Sequence, residues 1–240
     1  MSTATAPATV TRLNFSGPHL RADLVRHARG HLVEGQAIVV NPTPHPVTVD
    51  HHPRKPIPAL SSAILTDARI TAADTLLVIR TGPVPRPADV AAAPAWTRLS
   101  DLLPGFPATT ALWRSRQDDA GTVHFDPAHL LGETTVPAAP QPFAVKVNAW
   151  YAPAGTDCGI HNEHPFIEVH TQTHGTGRMQ KFATADPATR YLDLPMAPGY
   201  TTPDPFCSTT PDGTFRYPWH QYRADTDSIW LAVEYHRVTA

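Results

Sequence analysis

Apolar positions along this chain recur at two spacings. Leu20, Leu24, Ala28 and Leu32 follow one another at helical intervals behind Ser16, Gly17 and Pro18, which supply a cap and a first turn. The spacing predicts a helix that runs until Gly35. Elsewhere the apolar residues alternate or form short continuous runs. Residues 36–41 and 46–49 read as strands about a proline turn, and residues 75–81 (TLLVIRT) as a buried strand stopped by Gly82 and Pro83. Residues 83–94 are a proline-rich connector, residues 96–103 a short helix, residues 122–125 a strand and residues 132–142 a loop.

Composition narrows this picture. The chain has 240 residues and 27 prolines, which break helices and interior strands, so a fold rich in turns, edges and loops is expected. A net charge of −2 and a pI near 6.7 offer no basic field for nucleic acid. No apolar run reaches the roughly 18 residues of a membrane span, and residues 1–15 lack the regions of a signal peptide, so a cytoplasmic protein without a membrane partner is expected. Cys158 and Cys207 are too few for a disulfide framework. There is no phosphate-binding glycine loop, serine elbow or paired CxxC. His45, His51 and His52 lie in a polar, proline-flanked stretch that reads as a solvated loop.

The chemistry concentrates in residues 155–177, GTDCGIHNEHPFIEVHTQTHGTG. On a strand, alternate side chains share a face, so His161 and Glu163 project together. Imidazole and carboxylate are ligands common to Fe(II), Mn(II), Ni(II) and Zn(II), and burying so many of them demands a metal or a hydrogen-bond network. His164 and His174 have the opposite parity and are expected to face water. Glu168 is a fourth ligand, a partner orienting a histidine, or a general acid/base, and it is taken as the catalytic candidate.

The pattern Gly155-x5-His161-x-Glu163-x4-Glu168-x6-Gly175 resembles the first signature of the cupin superfamily, with Glu163 where a second histidine is usual. Residues 143–151 (FAVKVNAWY) and 175–182 (GTGRMQKF) resemble the flanking strands. Pro198 and Gly199 resemble the start of the second signature, residues 200–217 an insertion at the barrel mouth, and residues 217–233 the strands that follow, with His220 in the place of the distal ligand. A register slipped by one would instead use Asn162 and His164, turning every side chain over. The first register keeps both glycines and two good ligands.

The resemblance implies a mainly β fold: a cupin double-stranded β-helix, or jelly roll, over residues 135–240, with residues 1–134 as an N-terminal helix and extra strands packed on it. It implies a metal held by His161, Glu163 and His220. The expected function is that of a non-haem Fe(II) oxygenase acting on a small organic molecule; 2-oxoglutarate is a further cosubstrate candidate, against which stands Trp230, where related oxygenases place a basic residue. The alternatives are a Zn, Mn or Ni isomerase or lyase, and a non-catalytic ligand-binding barrel. Trp219, Tyr222 and Arg178 are the candidate substrate-binding residues, and a homodimer is the expected assembly.

Overall fold

The computed structural model describes residues 8–53, 56–133, 139–202, 205–210 and 212–238. In chain order the strands are β1 (Thr9–Arg12), β2 (Leu20–Asn41), β3 (Val47–Val49), β4 (Pro56–Ile57), β5 (Ser61–Thr81), β6 (Trp96–Arg98), β7 (Trp113–Ser115), β8 (Asp118–Phe125), β9 (Gln141–Ala152), β10 (Ile167–His174), β11 (Gly177–Phe182), β12 (Arg190–Met196), β13 (Ser208–Thr209), β14 (Phe215–Arg216), β15 (Trp219–Ala224) and β16 (Ser228–Arg237). Three short helices, α1 (Pro87–Ala92), α2 (Leu99–Leu102) and α3 (Pro127–Leu130), sit in the connections. None of the helices described is long and apolar enough to cross a membrane.

The expected N-terminal helix does not form. Leu20, Leu24 and Ala28 lie in β2, paired antiparallel with β5. A four-residue interval is an even number, so it keeps one face of a strand as well as it approximates one face of a helix. Gly30 and Gly35, both at positive φ inside the element, favour the bent strand over a helix. Ser16 brackets a turn instead of capping a helix: its hydroxyl donates to the Ala22 carbonyl and accepts from the Ala22 N–H. Residues 96–103 divide between β6 and α2, and the connector before them contains α1.

The strands make three layers. The order β1-β2-β5-β3-β4 forms the first sheet, β10-β16-β9-β7-β6 with β8 also on β9 the second, and β12-β11-β15 the third, beside a small β13-β14 hairpin. The second sheet is two-faced by strict alternation. Val145, Val147, Ala149, Ile167, Val169, Leu231 and Val233 point one way, into a core shared with Leu20, Leu24, Val40, Leu77 and Ile79 of β2 and β5. Their even-numbered neighbours point toward the third sheet, where Trp230 meets Tyr222 and His170 stacks on Tyr222. A boundary near residue 134 does not follow the sheets, because β6, β7 and β8 join the same sheet as β9. What holds them there is backbone pairing, as in Thr122 opposite Ala144 and Arg114 opposite Trp150.

Candidate metal centre

Between Gly159 and Phe166 the chain is not a regular strand. His161 alone pairs, in an isolated antiparallel bridge with His220. Its N–H donates to the His220 carbonyl at 3.0 Å and the His220 N–H returns the bond at 2.9 Å. Directly opposed residues carry their side chains on one face, so the two rings meet with centroids 4.4 Å apart. The chain then bends at Pro165 and Phe166 and turns His164 back onto them. His164 Nε2 lies 2.9 Å from His161 Nε2 and 3.3 Å from His220 Nε2. The fourth group comes from β10: Glu168 Oε1 is 3.4 Å from His164 Nε2 and 4.0 Å from His220 Nε2.

Backbone carbonyls fix which ring nitrogens carry protons. His161 Nδ1 is 2.9 Å from the Gly159 carbonyl, and His220 Nδ1 is 2.9 Å from the Pro218 carbonyl. A carbonyl only accepts, so both Nδ1 atoms donate, and the Nε2 of each neutral ring presents a lone pair to the cluster. His164 Nε2 has at most one proton for two lone pairs and a carboxylate oxygen. Hydrogen bonding among these groups therefore leaves acceptors unmet in a buried place, and a divalent cation would satisfy all of them. The donor set of three imidazoles and a carboxylate thus fits a metal.

The electrostatics point the same way. Burial drives the His220 imidazole down to about 3, aided by charge on His161, with Glu168 pulling the other way. Burial also lowers His164. For Glu168, burial pushes upward but is outweighed by His170, then His164 and His220, which hold the carboxyl well below its ordinary range. Burial favours the neutral form of His164 and His220, against the Glu168 carboxylate and, for His220, the Pro218 carbonyl, both of which favour the charged ring.

Aromatic rings close the cluster. Tyr217 stands 4.8 Å from the His164 ring, donates its hydroxyl proton to the Phe166 carbonyl and accepts the Glu168 N–H, both at 3.0 Å. Phe206 meets His220 edge-on at 4.8 Å. Behind the carboxylate, His170 Nε2 donates to Glu168 Oε2 at 3.2 Å. The Thr202 N–H bonds the His170 carbonyl, and the Thr202 hydroxyl accepts the His170 N–H, so the segment after Gly199 runs along the edge of β10. Burial raises the Cys207 thiol to about 11.

Of the residues singled out in the sequence, His161, Glu168 and His220 come together. Glu163 does not: its side chain is exposed, because the parity rule that pairs it with His161 fails where the chain bends, and His164 takes the inward place. His174 is buried as well, with Nε2 3.1 Å from the Gly82 carbonyl. Tyr222 lies on the inner face, stacked on His170. Trp219 has the parity of Gln221, on the outer face of β15 away from His220. Arg178 also faces outward, engaged by Asp225 and Asp193. On that outer face a surface cleft of about 460 Å³, with Gln180, Gln221 and Arg190 in its wall, includes none of the clustered histidines. The sequence reading missed His164, His170 and Phe206; only the slipped register signalled His164. His45, His51 and His52 are exposed in loops, as expected.

No protein-family model matches this chain, and no curated protein matches it. Solved structures overlay on it loosely. A cupin 2 conserved barrel domain protein from Leptotrichia buccalis is 12% identical, with 99% of this chain and 92% of that chain covered, at a TM-score of 0.28. An oxalate decarboxylase is 10% identical over 100% of this chain and 80% of that chain, at 0.31. The Escherichia coli ribosomal oxygenase YcfD is 17% identical over 39% of this chain, at 0.28; the match spans 24% of its length.

Proposed function

We propose that this chain, a mainly β protein of cupin-barrel type, is a metal-dependent enzyme acting on a small organic molecule, with His161, His164, His220 and Glu168 holding one divalent cation. The observation that carries this reading is the convergence of carbonyl-anchored Nε2 lone pairs beside a buried carboxylate. Such a donor set suits Fe(II), Mn(II), Ni(II) or Zn(II). Fe(II) remains the first choice, giving a non-haem oxygenase or related oxidoreductase; when bound, it would supply one-electron and dioxygen chemistry.

The chain's own residues have definable parts in this. Gly159 and Pro218 hold the two imidazoles in the tautomer that leaves Nε2 free. Tyr217 fixes the backbone on either side of Ile167, and so fixes where Glu168 starts. Phe166, Phe206 and Tyr217 keep water from the rings. His170 holds the far oxygen of Glu168, and the pair can take up or release a proton at that oxygen. The last feature favours a second reading, a non-redox isomerase or lyase that keeps Zn, Mn or Ni. A 2-oxoglutarate anchor at Trp230 has no support, since Trp230 is buried against Tyr222.

Metal analysis of protein purified without added metal tests the proposal, followed by oxygen uptake on Fe(II) loading with and without 2-oxoglutarate. Stoichiometric iron and substrate-dependent uptake support the oxygenase. Stoichiometric zinc with no uptake supports the non-redox reading, and failure to bind any divalent ion ends both.

A further inference from the structure

The inner face of the second sheet is polar across three strands. Paired residues form rows: Glu168, Glu234 and Lys146; then His170, Ala232 and Asn148; then Gln172, Trp230 and Trp150, extended by Arg114 on β7. The opposite face of the same strands is mostly apolar, with buried Thr171, bonded to Thr201, as a polar exception. A sheet packed solely for stability would bury apolar groups on this side too, since unpaired polar groups cost free energy there.

In the first row the charges are answered. Glu234 accepts from Asn148 Nδ2, Gln117 Nε2 and His236 Nε2, and Lys146 pairs with Asp119. Beyond it, several groups have no partner among the described residues. Asn148 is fully buried, and because its Nδ2 must donate to Glu234, its Oδ1 is fixed as an acceptor that meets nothing. His170 Nδ1, across Ala232, is likewise unmet. Trp150 Nε1 is a buried donor without an acceptor, and Arg114, stacked over the Trp150 ring at 5.9 Å, has a buried, unpartnered Nε and no carboxylate within ion-pair distance among the described residues. Strands about 4.8 Å apart put His170 and Asn148 roughly 10 Å from each other, with only the Ala232 methyl between them.

We propose that this face, with Asn148, Ala232, Trp150 and Arg114, binds a small hydroxylated carboxylate: its hydroxyl donates to Asn148 Oδ1 and its carboxylate lies toward Trp150 Nε1 and Arg114. The assignment takes its place in a reaction from the metal-enzyme reading, since Glu168 continues the same face, but the binding itself does not depend on a metal. It names the substrate class of that reading.

Lactate and 3-hydroxypropionate serve as probes, with propionate as the control that lacks only the hydroxyl. Binding is followed by calorimetry and by the Trp150 indole N–H signal in NMR spectra, on metal-free protein and on protein whose Mn(II) content has been measured. On metal-free protein at least one hydroxy acid is expected to bind about tenfold or more tighter than propionate, and to shift the Trp150 signal. Asn148→Leu should abolish that preference, Arg114→Gln should weaken all three acids alike, and Ala232→Leu should exclude all three, each with Mn(II) content unchanged. A preference that appears only with Mn(II) and survives Asn148→Leu would be chelation by the ion and would overturn the proposal. So would three acids that bind alike, or none that moves the Trp150 signal, because water would then be what meets Asn148. A protein that binds no divalent ion yet discriminates the acids would defeat the metal-enzyme reading and leave this one standing.

Discussion

At the scale of single residues, the decisive pair is Glu163 and His164. They are neighbours in sequence, yet one is exposed and the other lies within hydrogen-bond reach of two further imidazoles. His164→Ala is therefore expected to lower divalent-ion affinity by at least tenfold, whereas Glu163→Ala should leave it unchanged, as checked by Mn(II) titration followed by EPR. The pH dependence follows from His220, whose imidazole falls from 6.5 to about 3 on folding. Below 6.5 the unfolded chain takes up a proton that the folded site refuses. Stability from this group is thus complete above about pH 6.5 and declines as pH falls toward 3, by at most about 1.4 kcal/mol per pH unit. Glu168, lowered as well, acts in the same direction at more acid pH. Urea denaturation of metal-free wild type and His220→Phe between pH 7 and pH 4 checks this: the wild type should show the steeper loss. Equal slopes would remove His220 as the cause. The histidines were legible as a metal-binding type of cluster, but their parity was not, because parity presumes a strand where this chain bends.

At the scale of elements, the hairpin from β10 to β11 joins the second and third sheets and so sets how Glu168 faces His220. Its turn depends on Gly175, at φ +65°, where an added Cβ would lie 2.1 Å from the Asp227 carbonyl oxygen. Both the left-handed backbone and the close approach exclude a side chain. Gly175→Ala is expected to destabilise the protein by about 1–3 kcal/mol and to weaken metal binding, measured by thermal unfolding and ion titration. The glycine was visible in the sequence as part of the signature, and so were β9 and β11. The β2–β5 pair was not, because Leu20, Leu24 and Ala28 satisfy the helix interval and the strand interval at once. What separates those outcomes is the long-range partner: β5 supplies Leu77 opposite Leu24 and Ala73 opposite Ala28.

At the scale of the whole molecule, the N-terminal layer is part of the core and not an appendage. Leu20, Leu24, Leu77 and Ile79 share one apolar core with Val145, Val169, Leu231 and Val233. Removing residues 1–82 would strip Leu20, Leu24, Val40, Leu77 and Ile79 from the core on the second sheet, so the truncated chain should aggregate or stay unfolded, as tested by solubility and by dispersion of its NMR spectrum. A folded, soluble fragment would show the layers to be separable. Leu77→Ala, within the full chain, should cost about 2–5 kcal/mol in chemical denaturation.

Proline content, strand periodicity and ligand chemistry are local properties, so a mainly β, turn-rich chain with a histidine and carboxylate centre was readable from the residues alone. Which imidazoles meet, the strand that replaces the expected helix in the first half, and the polar inner face of one sheet were settled by the folded arrangement. Those outcomes depend on pairings between residues far apart in the chain, such as His161 with His220 and Asn148 with Ala232. The hydrogen bonds and buried surface that stabilise such pairings exist only once both partners are in place.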